Sequence, residues 1–294
     1  MRTLTILIFL LVFNSASFSQ VTEGEQINLI TIDINNFWNI YDLAKPEFKV
    51  SHFKEYLKNG TRGLQEFKSE IKNTKKLALS IRKNSAKYEA IRAASLRSKE
   101  DEQAKIDKGF NRLRALYPST IYPDIYFVIG GMNVGSKTSE NGIIIGYETM
   151  SVMGNESLLP HIMHEAIHVQ QNYSADENRL LGKCISEGAA NLISELVLEE
   201  NKTFKHSNDE YAYANEKELW KQFEKDMKRN RLKNWLYDGK ALGNGPKHIG
   251  YWIGYQIVKE YYLKSEDKKQ AIREILNIKD FKVLLAESGY ADKF

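Results

Sequence analysis

The spacing of hydrophobic and polar positions changes along the chain, and each pattern predicts a different kind of element. The stretch "INLITIDINNFWNIYDLA" (Ile27 to Ala44) begins as a strand over Asn28 to Ile32 and then becomes helix-periodic. Asp33 is a candidate cap for that helix, because its carboxylate can accept amide hydrogens of the first turn. From Phe48 to Leu116, apolar residues three and four apart in a Lys-, Glu- and Ala-rich text predict two or three helices.

The middle of the chain changes to the short apolar runs that are typical of strands. Pro118 and Pro123 end the helical stretch, and β-branched and aromatic residues from Ile121 to Gly131 predict a buried strand. The polar text "MNVGSKTSENG" predicts a loop, and Ile143 to Glu148 predicts a second strand.

The second half is helix-periodic again from about residue 156. The predicted helices are Leu158 to Gln171, Lys183 to Glu200, Glu216 to Arg229, Pro246 to Leu263 and a short pair at the end. The fold class that follows is α+β, predominantly α, with a small sheet between two helical halves. We expect a mostly helical region over residues 20–117 and a second region over 118–294, packed as one compact unit.

The first nineteen residues have the order of a secretory signal peptide. Arg2 precedes the apolar run Leu4 to Phe13, and small polar residues follow, so we expect cleavage after Ser17 or Ser19. A membrane span needs about 20 apolar residues, and this run is half as long. The sequence therefore predicts a secreted or periplasmic protein without a stable membrane span after cleavage.

The cysteine and charge counts exclude some classes of protein. Cys184 is the only cysteine, so no intrachain disulfide forms, and no cysteine stands near the cleavage region to accept a lipid. We expect Cys184 to be a small buried apolar group, with zinc binding as the less favoured role. The net charge of +4 is spread through stretches that mix acids and bases, which argues against a nucleic-acid partner.

The candidate chemistry lies in HEAIH, residues 164 to 168. On a helix, His164 and His168 are four residues apart and lie on one face, so both imidazoles can bind one ion. In the HExxH pattern, the intervening Glu165 is the general base that deprotonates a zinc-bound water. The alternative is a pair of helix-face histidines held by hydrogen bonds in a core.

A catalytic zinc needs a third protein ligand and one open position. The extended metzincin pattern would place glycine and histidine where this chain has Gln171 and Ser174, so that pattern is excluded. Glu187, which follows His168 after 18 residues (169 to 186), is the favoured ligand. Glu195 and Glu177 are its rivals, and His161 is expected to be a surface or rim residue.

HEAIH, the 18-residue gap and Glu-Gly-Ala-Ala-Asn together resemble the gluzincin class of zinc metallopeptidases. The resemblance implies a zincin-like fold in which the glutamate helix runs antiparallel to the HExxH helix and Glu187 is the third Zn²⁺ ligand. It also implies that Asn191, four residues later, orients a ligand histidine, although the class more often has an acid there. In zincin folds the strand before the motif, here Ile143 to Glu148, forms the edge of the cleft; a buried strand with no exposed edge is the alternative.

Longer stretches resemble a bacterial family described as zinc-dependent proteases with no assigned substrate. They are "DINNFWNIYD", "IYFVIGGMNVGSKTSENGIIIGYE", HEAIHVQQ, SEGAAN and "GYWIGYQIV". The resemblance covers most of the chain after the leader and rests on loose patterns outside the zinc motif.

The gluzincin resemblance also implies a tyrosine or histidine that donates a hydrogen bond to the oxyanion, as a later helix supplies in that class. The candidates are His248, Tyr251 and Tyr255, with Tyr251 favoured. The alternative is that the two tyrosines pack in a close helix contact, which Gly250 and Gly254 permit.

The sequence thus predicts a secreted zinc metallopeptidase of gluzincin type that acts on a peptide or protein substrate. Its catalytic residues would be Glu165, Tyr251 and His248, and its metal ligands His164, His168 and Glu187. The main alternative is a catalytically silent binding or envelope-assembly module with a structural zinc. A zinc hydrolase that acts on a cell-wall or other amide is a third interpretation.

Overall fold

The structure is a computed structural model that describes residues 27–96, 99–133, 135–148, 158–199, 208–243 and 245–294. The predicted signal peptide, residues 1–19, lies outside the described residues. The described part is mostly helical and contains one small sheet, which confirms the predicted α+β, predominantly α class. The strand predicted over Asn28 to Ile32 is shorter than expected, β1 (Leu29–Ile30), and helix α1 (Ile32–Ala44) follows it.

Four strands form the sheet in the order β1-β2-β4-β3. They are β1, β2 (Ile125–Val128), β3 (Ser136–Ser139) and β4 (Gly142–Gly146). β2 pairs in parallel with β1 and with β4, whereas β3 pairs antiparallel with β4, with Thr138 opposite Ile143. The order makes β3 an edge strand.

The prediction that residues 143–148 form the cleft edge is wrong. β4 lies between β2 and β3 and is fully buried, because its three consecutive isoleucines need cover on both faces. The edge strand next to β4 is the Ser-Lys-Thr-Ser segment of β3, whose turn-like composition predicts a loop.

The first helical region contains more helices than predicted. Five helices follow Phe48 within the described part of the chain, where the pattern predicts two or three: α2 (Val50–Asn59), α3 (Arg62–Ile71), α4 (Thr74–Lys83), α5 (Ser85–Ser95) and α6 (Lys99–Leu116). Polar N-caps divide this helix-periodic sequence into separate helices. The Thr61 hydroxyl accepts a hydrogen bond from the Leu64 amide, and the Asn73 side chain accepts one from the Lys76 amide.

Asp33 does not cap α1. Thr31 holds the N-cap position, and Asp33 lies inside the first turn, where its carboxylate accepts hydrogen bonds from the Thr61 amide and hydroxyl. A tertiary contact with the start of α3 has therefore replaced the local cap.

The second region follows the predicted helices closely. Its helices are α7 (Leu159–Gln170), α8 (Leu180–Leu198), α9 (Asp209–Ala214), α10 (Glu216–Arg229), α11 (Leu232–Leu236), α12 (Ile249–Lys264), α13 (Lys268–Leu276) and α14 (Phe281–Ser288). A 3₁₀ turn, Ala175–Asn178, connects α7 to α8. Only α10 has the predicted bounds to the residue.

Two glycines bring α8 and α12 into direct backbone contact. A Cβ on Gly254 would lie 1.7 Å from the Cys184 carbonyl oxygen, and a Cβ on Gly188 would lie 2.1 Å from the Gly254 carbonyl carbon. A close helix contact, predicted from the sequence as the alternative to a catalytic role for the tyrosines of this helix, is therefore present at Gly254, and Cys184 is fully buried beneath it. Because α12 packs so tightly on α8, it brings Tyr251 to the same side of the molecule as Glu187.

One hydrophobic cluster includes side chains from before and after residue 118. Among the described residues, no helix is both long enough and apolar enough to cross a bilayer.

Candidate metal centre

Helix α7 carries His164 and His168 one turn apart on the face that meets α8. Their Nε2 atoms are 3.1 Å apart, and the two rings meet edge to face with centroids 4.7 Å apart. Pro160 stands at the start of α7, where its missing amide hydrogen costs no helical hydrogen bond.

Helix α8 brings Glu187 to the same point. Its Oε2 lies 3.3 Å from His164 Nε2 and 3.2 Å from His168 Nε2. Contacts pair His164 with Asn191, His168 with Glu187 and Gln171 with Ser186, so the two helices run antiparallel. The 18-residue gap thus spans the end of α7, the 3₁₀ turn and the first two turns of α8.

The outward nitrogens of both histidines face side-chain oxygens. His164 Nδ1 is 2.8 Å from Asn191 Oδ1, and His168 Nδ1 is 2.7 Å from Gln171 Oε1. The Gln171 amide donates from Nε2 to the Ser186 carbonyl, so its Oε1 must face His168. Each Nδ1 therefore donates, which leaves a lone pair on each Nε2.

Three electron-pair donors consequently converge on one small space: two imidazole nitrogens and one carboxylate oxygen. Ligands at zinc-binding distances from one tetrahedral ion lie about 3.3 to 3.4 Å from each other, close to the separations found here. His164, His168 and Glu187 also form a group whose ligand atoms all lie within 4.8 Å of one another. The donor set and spacing fit a zinc ion.

The charges of the cluster favour a cation at that point. Burial disfavours the protonated form of His168, but Glu187, Glu165 and Gln171 outweigh it and raise the pKa of His168 to about 9. Burial by itself would raise the pKa of the Glu187 carboxyl, yet the two histidines outweigh it and hold that pKa well below the usual value. In the absence of a metal, a proton on His168 supplies the positive charge that Glu187, Glu165 and Gln171 favour at this point.

Glu165 lines the same cleft as the three-residue cluster and contacts the edge of the sheet. Its carboxylate accepts hydrogen bonds from the Ser136 and Thr138 hydroxyls of β3, each at 2.8 Å, and the side chain is 7% exposed. Both hydroxyls therefore fasten α7 to the edge strand through Glu165.

A cleft of about 420 Å³ opens over the three-residue cluster. Its walls come from β3, α7, the 3₁₀ turn, α8 and α12. The lining residues besides the cluster are Ser136, Lys137, Thr138, Glu165, Gln171, Glu177, Lys183 and Tyr251.

The three oxyanion candidates lie in different places. Tyr251 lines the cleft, and burial followed by the nearby Glu187 raises the pKa of its hydroxyl. Tyr255 donates to Glu195 Oε2 at 2.6 Å. His248 is the N-cap of α12 in the left-handed region (φ 62°), and its ring meets that of Tyr251 edge to face at 5.7 Å.

The rival ligands lie outside the three-residue cluster. Glu195 is paired with Tyr255, and Glu177 accepts a hydrogen bond from the Ser186 hydroxyl at 3.1 Å. His161 is half-buried, and burial followed by the proximity of His164 lowers its pKa to about 4. Burial raises the pKa of the Cys184 thiol well above its usual value, so the thiol is a poor metal ligand.

Sequence reasoning missed three parts of this centre. In the sequence, Gln171 stood out only because it excludes the metzincin pattern. Its position three residues after His168 nevertheless places it on the same helical face. Lys183 lies 3.4 Å from Glu187 Oε1, with the four-residue spacing of a helical ion pair. For Ser136 and Thr138 the sequence carries no signal, because their role depends on which strand forms the edge.

Comparison with known proteins changes the interpretation of this centre. The model of a family described as gliding motility protein GldB matches residues 23–292, which is nearly the whole chain. No curated protein and no solved structure matches it.

The assignment to gluzincin-type zinc metallopeptidases is therefore wrong, and with it the prediction of a peptide-bond hydrolase. The gluzincin resemblance rested on a few side chains across two helices, and such a constellation specifies neither a family nor a reaction. The resemblance to a bacterial family of zinc-dependent proteases rested on loose patterns outside those side chains, and it is wrong as well. By this match over residues 23–292, the chain belongs to the family of gliding motility protein GldB.

Proposed function

We propose that this protein is a zinc-binding envelope module that serves gliding motility by assembly or partner binding. His164, His168 and Glu187 hold the ion, which joins α7 to α8. The observation that carries the proposal is the convergence of three electron-pair donors within 3.1 to 3.3 Å, with both Nδ1 atoms facing amide oxygens. The family supplies the cellular process.

The surroundings of Glu165 support a role in holding the structure together. A general base needs its carboxylate free to take a proton from water. Here two hydroxyl donors from the edge strand already occupy the carboxylate. Glu165 thus has a structural purpose without any reaction.

The short name of the family, GldB_lipo, supports an envelope location. Cys184, the single cysteine, is fully buried in α8 and is not accessible to acylation in the folded protein. We propose a zincin-like fold as the frame of the ion site, because α8 runs antiparallel to α7 and brings Glu187 to the two histidines. Because zinc takes four ligands, three protein ligands leave one position for water or for an atom of a partner.

Zinc content and thermal stability test the ion site. We expect one zinc per chain in the purified protein and a large loss in Glu187→Ala. At free zinc about 1,000 times Kd, the ion adds about 4 kcal/mol to the free energy of unfolding. The matched control is Glu195→Ala on the same helix, which should keep its zinc. A folded wild type that takes up no zinc overturns the proposal.

Complementation of a non-gliding deletion strain separates a structural centre from a hydrolytic one. Glu165→Gln keeps groups that can pair with the Ser136 and Thr138 hydroxyls but removes the base. We expect this variant to bind zinc and to restore colony spreading. Glu187→Ala should lose its zinc and should not restore spreading. A zinc-loaded, folded Glu165→Gln protein that fails to restore spreading would contradict the proposal.

A further inference from the structure

A second cavity, of about 620 Å³, lies outside the metal centre. It is enclosed by the segment that joins the 3₁₀ turn to α8, by the second half of α10 and by the start of α14. Its residues are Asp176, Arg179, Leu181, Gly182, Lys221, Glu224, Lys225, Met227, Lys228, Asp280, Phe281, Lys282 and Leu285, and we call it the α10–α14 groove. It shares no residue with the cleft over the metal centre.

The floor of the groove is apolar. Leu181 and Phe281 are buried, and Met227 and Leu285 are half-buried beside them. Such a floor offers no hydrogen-bond donors to a small anion, but it can bury aliphatic or aromatic side chains.

The rim of the groove is cationic. Lys221, Lys225 and Lys228 follow one face of α10 at helical spacing, and Arg179 and Lys282 come from the other two walls. Lys221 pairs with Glu218 at 3.3 Å. In the part of the chain that the structure describes, the other four cations have no ion-pair partner within 4.0 Å.

The three acids of the rim form no ion pairs with these cations among the described residues. The Asp280 carboxylate accepts from the Lys282 and Val283 amides as the cap of α14. Asp176 and Glu224 are exposed and make no ion pair within the described residues. The rim carries five cations and three acids, a net charge of +2.

We infer that the α10–α14 groove docks a segment of a partner protein that presents apolar side chains flanked by aspartate or glutamate. The apolar side chains occupy the floor, and the carboxylates face Arg179, Lys225, Lys228 and Lys282. A concave site with an apolar floor suits an amphipathic peptide. An anionic membrane fits less well, because a broad bilayer surface cannot enter a concave groove and reach its apolar floor.

Selection of peptides on the purified protein tests the inference even though the partner protein is unidentified. From a random peptide display library, we expect enriched sequences that combine acidic and apolar residues. Synthetic peptides from that set should bind less tightly as salt is raised, because their carboxylates face exposed cations.

Two groove variants locate the binding. Lys225→Glu with Lys228→Glu should weaken the enriched peptides about tenfold or more, since each change replaces attraction by repulsion. Leu285→Asp should abolish peptide binding, because it places a charge on the apolar floor of the groove. The matched control, Lys54→Glu with Lys217→Glu, changes the net charge equally at exposed positions outside the groove and should bind like wild type.

Three results would overturn the inference. In the first, no acidic and apolar sequences are enriched. In the second, the enriched peptides bind the groove variants and the control variant equally. In the third, the protein binds phosphatidylglycerol vesicles through Lys225 and Lys228 and leaves the peptides unbound, which assigns the groove to a membrane surface.

Discussion

The Thr138 hydroxyl donates a hydrogen bond of 2.8 Å to the Glu165 carboxylate and so joins the edge strand of the sheet to the helix that carries both histidines. The same hydroxyl is 3.1 Å from the Glu165 carbonyl oxygen. The residue that the HExxH pattern would make a base is thus a connection between β3 and α7.

This connection predicts the cost of removing the hydroxyl. Thr138→Val keeps the shape of the side chain but takes one donor from a buried carboxylate, so the free energy of unfolding should fall by about 1.5 to 3 kcal/mol. Urea denaturation measures the change. Thr120→Val is the control, because the Thr120 hydroxyl donates to the neutral Tyr117 carbonyl and should cost less, about 0.5 to 1.5 kcal/mol.

A double-mutant cycle shows whether the effect passes through Glu165. In a Glu165→Ala background, Thr138→Val should cost much less than in wild type. Equal costs in both backgrounds would contradict the assigned contact.

The amide oxygens of Asn191 and Gln171 predict weaker zinc binding when they are removed. Asn191→Leu and Gln171→Leu each leave one ligand histidine without its orienting partner, and we expect zinc affinity to fall about 10- to 100-fold. Competition with a chelator of known affinity gives the Kd values. Gln222→Leu, on α10, is the control, and an unchanged Kd in both site variants would rule out the orienting role.

The protonation of His168 predicts a pH dependence of zinc affinity. Its pKa of about 9 without metal means that it carries a proton at neutral pH, which zinc must displace. Glu187 has a depressed pKa and stays ionised there. Zinc affinity should therefore rise about tenfold per pH unit between about pH 6 and pH 8. Isothermal titration in buffers of different ionisation enthalpy should show proton release, and its absence would contradict the assigned protonation.

The contact between α8 and α12 predicts a large loss of stability for Gly254→Ala. The added Cβ would lie 1.7 Å from the Cys184 carbonyl oxygen, and backbone cannot move aside as a flexible side chain can. We expect a loss of about 3 kcal/mol or more in the free energy of unfolding. Gly109→Ala is the control, because its Cβ would meet the flexible Met163 side chain first, at 2.8 Å. Similar melting temperatures for the two variants would refute the tight helix contact.

The sequence by itself placed most helices of the second half, because helix period and capping are local properties. It set His164 and His168 on one helical face by their four-residue spacing. It also selected Glu187, whose gap from His168 is long enough for the chain to turn back. The number of helices before Pro118 was underestimated. Thr61 and Asn73 cap new helices, although the helical spacing of apolar residues continues through both positions.

Only the tertiary structure decided how these side chains are used. Pairing across the sheet put Ser136 and Thr138 on an edge strand beside Glu165, and the close approach of Gly188 and Gly254 brought Tyr251 to the cleft. Three separate walls assembled the α10–α14 groove. Local spacing fixes which side chains can meet on a helix, whereas long-range packing fixes their partners, and those partners determine what a carboxylate or a phenol does.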